Sequence, residues 1–279
     1  MSDRLPRISV VTPSFNQARY LERTIRSVLD QGYPNLEYLV YDGASTDGSV
    51  EIIQRYADRL DYWQSQPDGG QSAAINAGWH RANGEILAWL NSDDYYLPGV
   101  LRFVGEHFRD HPEVLVLYGT CERVDQGGAY LGFVGTAFRM RDLLYSRQII
   151  PQPTAFLRRK VIDSVGPLDP SLRYSMDYDL FIRVAKVSTP SFVARRLAGA
   201  TVHSEAKTTA DRIPAKRETQ MIRMRYSSGP GRVFIRLQPL FSRAFHILPG
   251  PIQRAVNAMR PHRVFDARRS TQVGGGPPA

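Results

Sequence analysis

Residues 8–16 read ISVVTPSFN, a short β-branched run followed by polar and turn-forming residues. The run Ile8–Thr12 is short and apolar, which is typical of a buried strand, and Pro13 is expected to end it. Apolar residues then recur at the spacing of one helical face, at Leu21, Ile25, Val28 and Leu29. A buried strand followed by an amphipathic helix is the first unit of a parallel α/β fold.

The alternation of strands and helices continues through the first hundred residues. Strands are predicted at Leu36–Tyr41, Asp61–Ser65 and 85–90, and helices after Val50 and at 71–82. Beyond this point we predict strands at Val114–Gly119 and 154–157, a hairpin at 122–134 and a helix at Tyr178–Lys186. The pattern therefore predicts an α/β fold with a Rossmann-like, mostly parallel sheet flanked by helices, and a smaller second subregion.

Charge divides the chain into a body and a tail. The 279 residues carry 36 Lys and Arg against 27 Asp and Glu, a formal net charge of +9. Residues 1–206 hold 22 basic and 24 acidic residues, whereas residues 207–279 hold 14 and three, a net charge of +11. The basic character belongs to the tail, which carries no nucleic-acid-binding motif, so nucleic acid is not an expected partner.

Cysteine content and hydropathy narrow the class of protein. Cys121 is the single cysteine, which excludes an internal disulfide and a cysteine-ligated metal cluster. Residues 1–7 leave no room for the apolar core of a signal peptide, and no apolar run approaches the ~18 residues of a membrane-spanning helix. These observations predict a cytoplasmic protein.

Three of the predicted strands end in polar clusters, at Thr12–Asn16, Asp42–Asp47 and Asn91–Asp94. Open parallel sheets bind ligands beyond the carboxyl ends of their strands. Each cluster alone is more simply explained as a turn, because Asp, Asn, Ser and Gly are the common turn residues. Three clusters at one edge of one sheet favour a ligand site.

Asp93 and Asp94 are adjacent carboxylates that follow an apolar run. Such a pair repels unless a cation lies between, and an oxygen-only ligand set favours Mg²⁺ or Mn²⁺ bridging to substrate phosphates. The alternative is that Asp94 caps a helix that begins near Pro98. The chain has neither the Gly-Lys-Ser/Thr of P-loop proteins nor a Gly-x-Gly-x-x-Gly fingerprint, which argues against P-loop NTPases and dinucleotide oxidoreductases.

An ordered set of segments resembles the family 2 glycosyltransferases, whose nucleotide-sugar-binding fold is called GT-A. The segments are ISVVTPSFN at 8–16, YDGASTDGS at 41–49, QPDGGQSAAIN at 66–76, AWLNSDD at 88–94 and MDYDL at 176–180. The resemblance implies an inverting enzyme that transfers a sugar from a nucleotide-diphosphate sugar to a hydroxyl of a glycan or lipid-linked acceptor in cell-surface polysaccharide synthesis. It also implies that residues 1–118 bind the nucleotide sugar and that residues 119–210 bind the acceptor and carry the base. Residues 211–279 are predicted to form a basic, partly amphipathic and helical extension, with a low-complexity, disordered end.

The resemblance also implies roles for individual residues on the donor side. The nucleotide sugar would contact the loop after the first strand, a carboxylate after the second, and an aspartate with its neighbouring glycines. The residues concerned are Thr12, Pro13, Ser14, Asn16, Asp42, Asp68, Gly69, Gly70, Asn91 and Ser92. Segment 91–93 aligns with the family's Asp-x-Asp signature, with an amide in place of its first carboxylate, and Asp93 would bind Mn²⁺ or Mg²⁺ directly.

Two later residues complete the chemistry that the resemblance implies. His203 lies in a segment that resembles one closing over the diphosphate and would be a second metal ligand, although a lone loop histidine is more often a surface residue. Asp177 aligns with the general base of inverting members, where Met176 replaces a glutamate of many relatives. The alternative for Asp177 is capping of the following helix, a role that Asp179 could also fill.

The sequence contains few indications of which residues contact the acceptor. Gln152 and Tyr174 are candidates for contacting the acceptor, because they lie where loops lengthen, and ordinary loop packing explains them at least as well. The rival function is a non-catalytic nucleotide-sugar-binding or scaffold protein that keeps the fold, which Asn91 and Met176 favour. The oligomeric state is left open.

The basic tail contains an amphipathic segment at residues 231–248. Its apolar side chains share one helical face, at Phe234, Leu237, Phe241, Phe245 and Leu248, and arginines flank that face. A basic amphipathic segment with aromatic residues can lie in a membrane interface, so residues 229–279 are predicted to attach the protein to the anionic inner face of the plasma membrane. A helix packed on the core or on a second subunit explains the pattern as well.

Overall fold

A strand at Ile8–Ser14, β1, lies in the middle of the sheet of this protein. The computed structural model describes residues 4–145, 148–203, 211–233 and 235–236. Strand β2 (Leu36–Asp42) pairs with one edge of β1 and is followed by β3 (Tyr62–Ser65), while β4 (Ile86–Trp89) pairs with the other edge. These four strands are parallel, as the alternation of apolar runs and helices predicts.

Strand β1 continues past the position where Pro13 was expected to end it. Strand β4 is in register with β1 only as far as Val11, which lies opposite Trp89. The amide of Leu90 donates to Val11 O, and the amide of Gly43 donates to Ser14 O on the β2 side. Because backbone groups alternate between the two edges, the missing N–H of Pro13 faces the edge that β4 has already left, and no ladder hydrogen bond is lost.

The second half of the chain extends the same sheet. Its strands are β5 (Asp94–Tyr96), β6 (Val116–Val124), β7 (Tyr130–Val134), β8 (Phe156–Arg158) and β9 (Ser191–Thr201). In the described part of the chain the strand order is β3-β2-β1-β4-β8-β6-β9-β5, with β7 paired to β6. Strand β8 runs antiparallel to β4 and β6, whereas β6 and β9 are parallel. The described sheet is therefore mixed: β1, β2, β3, β4, β6 and β9 run in one direction, and β5, β7 and β8 run in the other. The expected α/β fold, with most strands in one direction, is confirmed.

Helices cover both faces of the sheet. They are α1 (Ala18–Leu29), α2 (Ser49–Arg55), α3 (Gln71–Arg81), α4 (Val100–Asp110), α5 (Met140–Tyr145), α6 (Arg159–Val165), α7 (Met176–Val187) and α8 (Arg212–Tyr226). Helices α1, α2 and α4 contribute to the core on one face, and α3 and α5–α8 contribute to the core on the other. Within the described ranges, none of the helices has both the length and the hydropathy to cross a bilayer.

Alternate residues of the central strands separate the two cores. Val10 belongs to one core and Val11 to the other, as the two-residue period of a strand requires. Helix α3 lies close to β1 at Gly78, where an added Cβ would be 2.5 Å from Val11 Cγ1. A side chain at Gly78 would therefore push α3 away from the sheet.

Several predictions about the second half need correction. The hairpin at 122–134 and the helix around Tyr178–Lys186 are confirmed, and α8 lies in the extension that was predicted to be helical, but β5, β9 and α5 were not predicted. The alternative that Asp94 caps a helix is wrong, because Asp94 lies in β5 and Gly99 immediately precedes α4. Most of the amphipathic segment 231–248 lies outside the described residues.

Candidate functional site

A cavity of about 580 Å³ opens at the carboxyl ends of β1, β2, β3 and β4. This is where open parallel sheets bind ligands. Its wall brings together most of the site residues predicted from the sequence, namely Pro13, Ser14, Asp68, Gly70, Asn91, Ser92, Asp93, Gln152, Tyr174 and Asp177. Residues more than 160 positions apart in the chain thus face one space.

A narrow slot forms one side of this cavity. A Cβ on Gly43 would lie 3.3 Å from Phe15 Cδ2 and 3.4 Å from Asp68 Oδ2, so the missing side chain keeps the slot open. The Phe15 ring is 60% exposed, and Asp68 Oδ1 accepts a hydrogen bond from the amide of Gly70 at 2.7 Å. A flat ring could stack in such a slot. Phe15 was not among the predicted site residues, although a large apolar side chain in a polar loop could have indicated it.

Some of the predicted donor-side residues do not line the cavity: Thr12, Asn16, Asp42 and Gly69. Thr12 Oγ1 bonds to Tyr38 in the core at 2.9 Å. The Asp42 carboxylate is buried and accepts hydrogen bonds from the amide and hydroxyl of Ser45 and from the hydroxyl of Ser65. These residues shape the surrounding loops, and direct contact with a nucleotide stays a prediction for them.

A chain of side-chain amides forms the floor of the cavity. Gln152 Nε2 donates to the backbone oxygen of Trp89 at 2.8 Å, which directs its Oε1 toward Asn91 Nδ2 at 2.9 Å. Asn91 Oδ1 in turn accepts a hydrogen bond from Gln71 Nε2 at 2.7 Å. An aspartate at position 91 would place a carboxylate oxygen, which has no hydrogen to donate, against the oxygens of Gln152 and Asp94. The Nδ2 group of Asn91 can donate to both oxygens.

Asp93 and His203 are paired at the edge of this floor. His203 Nε2 lies 3.0 Å from Asp93 Oδ2, and its ring is buried against Tyr20 with the ring centroids 4.8 Å apart. The hydroxyl of Thr201 donates to the Asp93 backbone oxygen at 2.8 Å. Strand β9 therefore brings His203 to Asp93, and the alternative that His203 is a surface residue is wrong.

The neighbouring Asp94 is buried and titrates differently from an exposed carboxyl. Its pKa is raised well above the usual range, first because burial penalises the charged form and second because Asp93 carries a like charge. Asn91 Nδ2 lies 3.4 Å from Asp94 Oδ2. Of the two adjacent carboxylates, Asp94 is buried and Asp93 is the more exposed, so Asp93 is the better placed to contact a ligand.

Asp177 lies in the first turn of α7 and faces the cavity. Its Oδ2 accepts a hydrogen bond from Gln148 Nε2 at 2.5 Å, and its Oδ1 accepts one from the amide of Tyr178 at 2.7 Å. Burial raises the pKa of this carboxyl, and these two hydrogen bonds oppose the rise. The N-cap of α7 is Ser175, so Asp177 does not cap the helix, although its bond to Tyr178 satisfies one amide of the first turn.

Asp179 has a structural role on the same helix. It is buried and accepts hydrogen bonds from Arg183 Nε and the hydroxyl of Tyr226, each at 2.8 Å. It thus links α7 to α8 and does not line the cavity. The alternative that Asp179 caps the helix is therefore wrong, because the N-cap of α7 is Ser175.

The wall that holds Gln152 and Tyr174, the residues predicted to contact the acceptor, contains further side chains. Arg173 lines the same wall, and the sequence contains no signal for it. The Tyr174 hydroxyl donates to Asp211 Oδ2 at 2.8 Å, which fixes this residue to the segment before α8. Gln148 was also missed, because no local pattern places it next to Asp177.

Asp93 and His203 are the residues that could hold a divalent cation. No group of three His, Cys, Asp or Glu side chains within the described ranges forms a metal site by itself. Mg²⁺ bound to a phosphate substrate needs only one or two protein ligands. The 3.0 Å between Asp93 Oδ2 and His203 Nε2 is that of a hydrogen bond, and it also leaves both atoms near enough to contact one cation. The pair therefore fits a cation that is shared with a diphosphate.

Sequence comparison identifies relatives of the chain. The sequence model of the protein family described as Glycosyl transferase family 2 matches residues 9–166 of this chain. An uncharacterised glycosyltransferase of Rickettsia typhi is 31% identical over 215 residues, which cover 73% of this chain and 66% of that protein. An uncharacterised glycosyltransferase of Mycobacterium tuberculosis is 31% identical over 188 residues, which cover 66% of this chain and 71% of that protein.

Solved structures share the fold at lower sequence identity. TarS of S. aureus, residues 1–349 in complex with UDP-GlcNAc, superposes with a TM-score of 0.62 at 18% identity, covering 82% of this chain and 69% of that one. The mannosyltransferase PcManGT from Pyrobaculum calidifontis, in complex with GDP-Man and Mn²⁺, gives a TM-score of 0.60 at 17% identity, covering 92% and 80%. These likenesses confirm the GT-A-type fold, and the sequence matches confirm the resemblance: the chain belongs to glycosyl transferase family 2.

Proposed function

We propose that this chain transfers a sugar from a nucleotide-diphosphate sugar to a hydroxyl of a glycan or lipid-linked acceptor, with inversion at the anomeric carbon. One observation carries the proposal: a single cavity is lined by the slot at Gly43, by the Asp93 carboxylate and by the Asp177 carboxylate. A nucleotide in the slot would direct its diphosphate toward Asp93. The sugar would then lie between Asp93 and Asp177.

Asp177 is the proposed general base. The acceptor oxygen forms a bond to the anomeric carbon while the bond from that carbon to the diphosphate oxygen breaks. The acceptor's proton passes to a carboxylate oxygen of Asp177, and the nucleoside diphosphate leaves with the bonding electron pair. Gln148 supports this role because its hydrogen bond fixes the rotation of the carboxylate.

Asp93 and His203 would hold the divalent cation, Mn²⁺ or Mg²⁺. When bound, such a cation supplies positive charge that neutralises a departing diphosphate. Ser92 and Asn91 continue the same wall toward the nucleotide side, and Gln152 reaches Asn91 from the acceptor side. The hydrogen-bonded side-chain amides of Gln71, Asn91 and Gln152 would thus keep the donor and acceptor subsites at a fixed distance.

The division of the chain and its location are part of the proposal. Residues 1–118 would bind the donor and residues 119–210 the acceptor, whereas residues 211–279 would determine where the enzyme works. The net charge of +11 on residues 207–279 supports attachment of the tail to an anionic membrane surface. Of residues 229–279, only 229–233 and 235–236 are among the described ones.

Turnover and product stereochemistry test the proposed function. The wild-type chain is incubated with Mn²⁺ and UDP- or GDP-linked sugars, and release of nucleoside diphosphate and the anomeric configuration of the product are measured. Transfer with an inverted anomeric configuration is the expected result, and a retained configuration would contradict single displacement. Donor binding without turnover on any acceptor would favour a non-catalytic nucleotide-sugar-binding protein.

The pH dependence of kcat/KM is expected to report the raised pKa of Asp177. A general base works only when deprotonated, so kcat/KM should rise with pH through this pKa and level off above it. Since burial raises the pKa of Asp177, the acidic limb should lie above the value of about 3.9 that is usual for an exposed aspartate. Donor affinity measured over the same pH range is the control, and a limb at or below the usual value would contradict the assignment.

A further inference from the structure

Glu218 on α8 binds the loop that leads into the helix of Asp177. Its Oε2 accepts a hydrogen bond from the amide of Arg173 at 2.9 Å, and its Oε1 accepts from the amides of Tyr174 at 2.7 Å and Ser175 at 2.6 Å. Three consecutive backbone N–H groups therefore converge on one carboxylate. Hydrogen bonds to an ionised acceptor are among the strongest in proteins.

Side chains of α8 and of the residue before it add further hydrogen bonds to the loop 173–175. Thr219 donates its hydroxyl hydrogen to Ala215 O, so the hydroxyl of Ser175 donates to Thr219 Oγ1 at 2.8 Å. The hydroxyl of Tyr174 donates to Asp211 Oδ2 at 2.8 Å. Every residue of the loop 173–175 is thus bound by the segment 211–219.

This loop forms one wall of the cavity and ends directly before α7. Arg173 and Tyr174 line the cavity, and so do Met176 and Asp177, which begin α7. A shift of the loop would consequently shift the Asp177 carboxylate. Displacement of a reacting group by about 1 Å can cost about 100-fold in rate.

We propose that Glu218 is a positioning residue for Asp177, which it places by fixing the loop 173–175. The inference rests on the proposed function, because Asp177 is taken as the general base. It explains why a helix outside the cavity is bound so closely to one wall of it.

Glu218 also acts on Asp177 through its charge. Burial raises the pKa of the Asp177 carboxyl most; the side chain of Gln148 and the amides of Tyr178 and of Asp177 itself lower it, and the carboxylate of Glu218 raises it further. Gln148 and Tyr178 favour the ionised form, whereas the negative charge of Glu218 raises the pKa of Asp177. Removing this charge should therefore lower that pKa, which gives the inference a second readout.

Two variants of Glu218 and one control test the inference. Glu218→Ala removes all three contacts and is expected to lower kcat by about 10–100-fold with an unchanged KM for the donor. Glu218→Gln keeps one carbonyl oxygen for two of the amides, so kcat should fall less, and the acidic limb of its pH profile should move to lower pH. Arg217→Gln changes the charge of the exposed neighbouring residue on α8 and should leave kcat and the pH profile unchanged.

Hydrogen exchange of the amides at 173–175 provides a readout that needs no turnover. These amides should exchange faster in Glu218→Ala than in the wild type, while those of β1 stay protected. Unchanged exchange, an unchanged kcat in Glu218→Ala, or equal losses for Glu218→Ala and Arg217→Gln would each overturn the inference. A wild-type chain without turnover would refute the proposed function and the role of Glu218 in catalysis, and the exchange rates would still show separately whether Glu218 holds the loop.

Discussion

Asp177→Asn is expected to lower kcat by about 10²–10⁴-fold, the usual contribution of a positioned general base. The amide has nearly the shape of the carboxylate but cannot accept the proton of the acceptor hydroxyl. Asp177 is proposed to contact the acceptor and not the nucleotide, so donor affinity should change little. The measurement is kcat from nucleoside diphosphate release, together with donor affinity by calorimetry.

The same substitution should not destabilise the fold. Burial raises the pKa of Asp177, which means that the ionised form is less favourable in the folded than in the unfolded chain. A neutral amide removes that unfavourable charge at neutral pH. The amide keeps only one acceptor oxygen for the two donors, Gln148 Nε2 and the amide of Tyr178, so the loss of one hydrogen bond offsets this gain. The melting temperature of Asp177→Asn should therefore stay close to that of the wild type.

Asp179→Asn is the matched control on the same helix. Asp179 is 2% exposed and bonded to Arg183 and Tyr226, so losing its charge leaves Arg183 without its buried partner. Breaking such a pair costs about 3 kcal/mol and should lower the melting temperature by roughly 6–12 °C. If Asp177→Asn kept more than a tenth of the wild-type kcat, Asp177 would not be the base.

The donor side of the site could be predicted from local sequence. Strands β1, β2 and β4 are short apolar runs, and the polar residues after them fall at one edge because parallel strands share their direction. What local sequence could not show is which way each side chain turns. Asp42 is the last residue of β2, at the strand end where it was predicted, yet Ser45 and Ser65 take up its hydrogen-bonding capacity.

The acceptor side could be predicted less well, because its elements are held by contacts between distant residues. Strand β9 has no regular apolar alternation, since exposed arginines at 195 and 196 interrupt it. It pairs with β5 where Gly199 makes room for Tyr95: a Cβ there would be 2.1 Å from the ring. Glu218 lies 45 residues from Arg173 in sequence, and only the folded chain brings them together.

Asp93→Asn is expected to weaken binding of Mn²⁺ by about 100-fold or more in the presence of UDP or GDP. Asp93 is the proposed carboxylate ligand of the cation, and loss even of residues that only orient a ligand typically costs 10–100-fold in metal affinity. We expect kcat/KM to fall by about 10²–10³-fold, because several kcal/mol of charge stabilisation at the diphosphate are lost. Calorimetric titration with Mn²⁺ measures the first effect, and initial rates measure the second.

Asp94→Asn is the control that separates a ligand from its neighbour. The raised pKa of Asp94 means that burial already favours its neutral form, which an amide imitates in shape and charge. Asp94→Asn should therefore bind Mn²⁺ as the wild type does and keep most of its activity. His203→Ala removes the imidazole next to Asp93 and should weaken Mn²⁺ binding as well. If Asp94→Asn lost Mn²⁺ binding while Asp93→Asn retained it, the cation would be held by Asp94, and the pair of Asp93 and His203 would serve only to join β9 to the end of β4.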